Sequence, residues 1–178
     1  MAGVVRVLGL GNVLIGDDAF GPWVVHQLAS TVDPGPGVEF HDLGTPGLDL
    51  LPYLTGAEAV ILVDTVRSQG EAGELRRYDK AQILQHPPQP RVSPHDPGVK
   101  EALLALEFEG RGPKEVILLG AIPGEVRYEV GLSGPVRDAV EPTVEAVIQE
   151  LAALGRLVVR RENSVVSTPV GENLSPKP

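Results

Sequence analysis

The apolar run Val4–Leu10 passes through Gly9 and Gly11 and soon reaches two adjacent carboxylates, Asp17 and Asp18. A run of that length and composition suits a strand buried on both faces, as the strands of a parallel sheet are. Beyond the acids, Phe20, Trp23, Val24 and Leu28 recur at helical spacing. Pro22 falls in the first turn of that helix, where its missing N–H costs little. The two carboxylates therefore stand where the first strand hands over to the first helix. In an open α/β sheet, this rim at the carboxyl ends of the strands is where ligands bind.

Two simpler uses of the same residues have to be weighed. Asp is a common helix N-cap, but a cap needs one side chain, and a second like charge beside it is costly unless something positive arrives. A dinucleotide fingerprint, G-x-G-x-x-G, fails because Leu14 occupies the third glycine position counted from Gly9. Acids at that turn also repel a pyrophosphate, which needs bare N–H groups and the positive end of the helix dipole.

The alternation continues along the chain. Asp33–Gly37 is a turn, Val38–Leu43 a second strand, Gly44–Gly47 a tight turn, and Leu48, Leu50, Leu51 and Leu54 a short helix closed by Gly56. Ala59–Val63 is the most strand-like run and ends on Asp64, a second acid at the same rim. Glu74–Tyr78 reads as a charged edge strand, and Lys80–Pro94 as a long surface loop, because prolines 87, 88 and 90 exclude regular structure there. Val99, Ala102, Leu103 and Leu106 mark a helix that starts just after His95. Glu115–Ile122 is an interior strand, Val126–Val130 an edge strand, and Val136 through Leu154 one long final helix ended by Gly155. This order predicts a three-layer α/β/α sandwich around a mainly parallel twisted sheet of about five strands.

The 178 residues suffice for one buried core. The domain is expected over 1–158, with 159–178, poor in apolar periodicity, as a poorly structured tail. The absence of cysteine excludes disulfides, a thiol nucleophile and thiolate metal sites, so any metal must be held by N and O donors. A formal net charge of −9 argues against a nucleic-acid partner. No apolar run reaches the length of a membrane span, and no charged leader precedes the first strand. A cytoplasmic protein is expected.

Three segments together resemble the nickel-iron hydrogenase maturation proteases: Gly11-Asn12-x-Leu14-x-x-Asp17-Asp18-x-x-Gly21, then Gly44-Thr45-Pro46-Gly47 followed by the strand ending in Asp64, then Ser93-Pro94-His95-x-x-Gly98. The resemblance covers roughly residues 4 to 155, in the same order. It departs at Ala19, where many members have Gly, and at Pro97, after the acid that follows the histidine. The resemblance implies an endopeptidase that removes a C-terminal peptide from the hydrogenase large-subunit precursor. It also implies a metal site formed by Asp18, Asp64 and His95, acting on nickel that the substrate already carries. Two carboxylate oxygens and an imidazole nitrogen can hold a divalent transition metal with positions left open, and in a crystal zinc or cadmium suits the same donors. For Asp17 three roles stay open: orienting a ligand, capping the helix, or acting as a base. The alternative to the peptidase is a non-catalytic metal-sensing or escort protein on the same scaffold, separated from it by whether a metallated precursor is shortened.

Overall fold

The computed structural model describes residues 3–85, 98–124 and 127–161. From β1 (Val4–Leu10) the chain passes through a 3-10 turn, Gly16–Ala19, into α1 (Phe20–Thr31), then β2 (Val32–Asp33) and β3 (Val38–Gly44). A second 3-10 turn, Gly47–Leu50, leads into α2 (Leu51–Leu54), followed by β4 (Ala57–Thr65), β5 (Leu75–Asp79), α3 (Lys80–Gln85) and α4 (Val99–Phe108). The described chain closes with β6 (Glu115–Ala121), α5 (Gly134–Asp138), α6 (Val140–Ala153) and β7 (Val159–Arg160).

Five strands form the central sheet in the order β3-β1-β4-β6-β5. β3, β1, β4 and β6 run parallel, and β5 pairs antiparallel with β6 at the edge. The expected architecture, a mainly parallel sheet between helical layers, is the observed one. Successive strand residues face opposite ways, so parity sorts the core. Val5, Val7, Ile61, Val63, Ile117 and Leu119 pack with Phe20, Val24 and Leu28 of α1 and Val144, Val147 and Leu151 of α6. Leu8, Val60, Leu62, Val116 and Leu118 face the other way, onto Leu54 of α2, Ile83 of α3 and Leu103 and Leu106 of α4. Burying one such side chain as large as Phe20 contributes about 1.5–3 kcal/mol.

The strand order also locates the site. From β1 the chain moves to β3 on one side and then returns to β4 on the other, so the sheet changes direction of growth between β1 and β4. That reversal opens a crevice at their carboxyl ends, the favoured ligand position in such sheets. α1 reaches this crevice because its second residue is Gly21. A Cβ there would meet the carbonyl oxygens of Leu10 at 2.2 Å and Val63 at 2.4 Å.

Four expectations are corrected. Lys80–Gln85 is helix rather than loop: Asp79 Oδ1 accepts from the Gln82 amide at 2.8 Å while Gln82 Oε1 accepts from the Asp79 amide at 2.9 Å, a reciprocal capping box that starts α3. Residues 86–97 lie outside the described residues. The expected edge strand Val126–Val130 is not formed by its described part, 127–130, which instead lies along the 3-10 turn, with the Gly16 amide donating to the Glu129 carbonyl at 2.7 Å. The single final helix is two, broken at Ala139, because Pro142 has no N–H to give the Asp138 carbonyl and is placed in the first turn of α6. Finally, ordered structure passes position 158. β7 pairs with β2, the Arg161 amide donates to Thr31 at 2.8 Å, and Arg161 meets Asp33 at 2.5 Å. Two-residue strands of this kind are too short to show a period; residues 162–178 lie outside the described ones.

Candidate active site

The two adjacent acids separate in space. Gly11 adopts φ +148°, and a Cβ at that position would fall 1.8 Å from the Asp18 carbonyl oxygen, so only glycine lets the turn after β1 fold this closely against the acid pair. The Gly11 amide donates to the Gly44 carbonyl at 2.8 Å, joining this turn to the one after β3. Both acids lie in the 3-10 turn and both are buried. Neither caps a helix: the cap positions are Ile15 for the 3-10 turn and Ala19 for α1, without a side-chain capping bond at either.

Asp17, 1 % exposed, spends its carboxylate on the protein. Its Oδ2 accepts from the Gly124 amide at 2.8 Å and from the Ser133 hydroxyl at 2.9 Å, and its Oδ1 from the Ser133 amide at 2.6 Å. Charge-assisted bonds of that length are the strong kind. They fasten the segment between β6 and α5 to the turn after β1. Of the three roles open to Asp17, capping is excluded by this geometry. Its described contacts make it an anchor, a use the sequence motif alone does not signal.

Asp18 is held more loosely. The Asn12 amide donates to its Oδ2 at 2.8 Å, whereas among the described residues its Oδ1 receives only the Thr65 hydroxyl at 3.4 Å, a long and weak contact. A carboxylate offers about four acceptor positions, so Asp18 keeps capacity for a further ligand. Asp64, the penultimate residue of β4, is 7 % exposed, and the Thr65 amide donates to its Oδ1 at 2.6 Å. Thr65 thereby bridges the two acids, touching Asp18 with its hydroxyl and Asp64 with its amide. Sequence reasoning missed Thr65; the signal available was a hydroxyl residue directly after the acid that ends the middle strand.

The structure thus brings Asp18 and Asp64 to one rim, at the crevice between β1 and β4. His95, the third predicted ligand, lies outside the described residues, as do Ser93, Pro94 and Pro97. Among the described residues no group of three acidic or imidazole side chains is gathered as a metal site. Two carboxylates in this position supply hard anionic oxygen donors, which suit a divalent cation or the handling of a proton.

Comparison with known proteins agrees with the fold. A family model described as hydrogenase maturation protease matches residues 22–150. The hydrogenase 2 maturation protease of Escherichia coli K12 is 32% identical over 162 residues, covering 89% of this chain and 96% of its own length. The hydrogenase expression/formation protein HupD of Bradyrhizobium diazoefficiens is 32% identical over 170 residues, or 95% of this chain and 86% of its own. Among solved structures, the hydrogenase maturating endopeptidase HybD from Escherichia coli superposes with a TM-score of 0.81 at 30% identity, covering 89% of this chain and 98% of that one. A hydrogenase 2 maturation peptidase from a Thaumarchaeota archaeon gives 0.64 at 33% identity, over 85% and 98%.

Proposed function

The chain belongs to the hydrogenase maturation proteases, which makes it a peptidase, and on that premise we propose that it removes the C-terminal extension of a nickel-iron hydrogenase large-subunit precursor once nickel is in place. The observation that carries this reading is the pair Asp18 and Asp64, bridged by Thr65 at the carboxyl rim of the sheet, with Asp18 Oδ1 only weakly engaged. In this reading the nickel arrives with the substrate, and Asp18, Asp64 and His95 are the side chains that meet it. A metal so placed polarises the scissile carbonyl or activates water. Hydrolysis then adds one water across the peptide bond, giving a new carboxylate on the mature subunit and a free amine on the released peptide.

Specificity follows from the donor set. Two carboxylates and an imidazole, with no thiolate, hold nickel less tightly than a cysteine cage does, so the site suits a probe of substrate metal better than a permanent store. Contacts made only with the loaded precursor give differential binding, and that difference discriminates loaded from empty. The test is incubation of purified protein with nickel-loaded and nickel-free precursor, read as the mass of the large subunit. Shortening of the loaded form alone is expected. Equal shortening of both removes the nickel-recognition step, and shortening of neither favours an escort role on the same scaffold.

A further inference from the structure

Beside the acid pair, a surface groove of about 300 Å³ runs along the exposed face of α1, lined by Val13, Pro22, Trp23, His26, Gln27 and Ser30. We propose that this groove is the docking site for an apolar side chain of the polypeptide being cleaved. The proposal rests on the peptidase reading above and adds to it where the substrate chain lies.

Continuity with the site selects this occupant. The groove begins on the turn 12–16, whose Asn12 amide holds Asp18. Asn12 Oδ1 accepts from the Leu14 amide at 2.9 Å, which tightens that turn and leaves Val13 and Leu14 exposed, Leu14 by 63 %. Pro22, in the groove floor, lies over Gly11: a Cβ on Gly11 would meet its Cδ at 3.2 Å. A chain in the groove therefore runs onto the turn that carries the acid. Trp23, 41 % exposed, gives the groove an aromatic wall, the residue type that most often anchors binding.

The chemistry argues against an anionic ligand. No Lys or Arg lines the groove, and His26 is paired with Asp42 at 2.9 Å, so a phosphate or other anion finds no cationic partner. Gln27 offers a side-chain amide that suits a peptide backbone, and Ser30, whose hydroxyl donates to the Gln27 carbonyl at 2.9 Å, keeps acceptor capacity. The volume stands at the lower end for small-ligand sites, which run from about 300 Å³, and holds one or two side chains. Other apolar side chains near this rim are exposed too, Leu48 after β3 and Tyr128 and Val130 on the segment fastened by Asp17, although Leu104, Phe108, Leu157 and Val159 are exposed elsewhere.

Trp23 is the only tryptophan in the chain, so protein labelled with 5-fluorotryptophan carries a single fluorine, inside the groove. Nickel-loaded precursor added to labelled Asp18→Asn protein is expected to shift or broaden that resonance, and Val13→Asp is expected to abolish the response. With Asp18 intact, Trp23→Ala and Val13→Asp are expected to raise KM about tenfold, the loss falling on KM rather than kcat. Precursor cleavage with an unmoved resonance and unchanged KM in both variants overturns the groove and leaves the peptidase reading intact. A shifted resonance without cleavage by the wild-type protein does the reverse. A resonance that moves with protein concentration in the absence of precursor assigns the groove to a second copy of the chain and overturns the proposal.

Discussion

Asp17 and Asp18 are neighbours in sequence, share one 3-10 turn and are both buried, yet they serve different regions of the molecule. Around Asp17, the segment between β6 and α5 closes in and supplies three donors at 2.6–2.9 Å. Around Asp18 the described residues supply only one amide at 2.8 Å and one hydroxyl at 3.4 Å. A buried carboxylate whose acceptor positions are taken up by backbone amides is a structural tie, because its solvation is replaced by the protein. A buried carboxylate with acceptor capacity left over is held ready for something else. What separates them is whether the fold supplies donors, which no local pattern in an Asp-Asp pair records.

The largest expected effect of this division is at Asp18. Asp18→Asn keeps the shape and the Asn12 contact but removes the anionic donor, and precursor processing is expected to fall by about 10³-fold or more. Its melting temperature should stay within about 2 °C of the parent, since the side-chain oxygen that accepts from the Asn12 amide is retained and the change in stability is only about 0.5 kcal/mol. Asp17→Ala is expected to show the opposite signature. It strands three part-buried donors, a cost of about 4 kcal/mol, or roughly 8–16 °C at the scale expected for a chain of this size. Activity measured well below the new melting point should return to within an order of magnitude of the parent. An Asp17 variant that melted normally but lost all processing would break the division between the two acids.

Ser133→Ala sharpens the comparison by removing one of the three ties. Two N–H donors remain on Asp17, so a loss of about 1.5 kcal/mol is expected in urea unfolding. A smaller effect is expected at Glu39, a half-buried acid of β3 outside both regions. Hydrogen bonds from Arg6 at 2.8 Å, and then from His41 at 3.0 Å, hold its carboxyl below the usual range. A folded-state value below the unfolded one stabilises at pH above the ordinary glutamate range, and that stability is lost as pH falls through the lowered value. Because the side chain is nearly half exposed, the contribution is only a few tenths of a kcal/mol. Glu39→Gln should therefore lower the melting temperature by about 1 °C at neutral pH, with the difference vanishing in acid and processing unaffected.

Much of this was legible in the chain because periodicity follows directly from burial. Val4–Leu10 and Ala59–Val63 are apolar throughout because both faces of a central parallel strand are covered, and α1 shows its apolar stripe because one face meets the sheet. Gly11 and Gly21 were visible as part of a spaced pattern, although their reason, backbone packed within van der Waals contact of Asp18, Leu10 and Val63, is a tertiary fact. α3 was also legible in principle: Asp79 and Gln82 have the spacing of a capping box ahead of Ile83, and the prolines that follow obscured it. The pairing of β7 with β2 was not, since two-residue strands carry no period.

The sequence by itself determined the alternation of strands and helices, the mainly parallel sheet, and the placing of Asp64 at the end of its strand and of Asp18 where the first strand hands over to the first helix, because these depend on local spacing and on which residues avoid water. Tertiary structure alone decided that Asp17 is an anchor, that Thr65 bridges Asp18 and Asp64, and that a groove beside Trp23 opens onto the acid turn. Each of those depends on donors or walls brought from elsewhere, Gly124 and Ser133 to Asp17 and β4 to the turn after β1, and a contact between distant segments exists only once the sheet order has put them side by side.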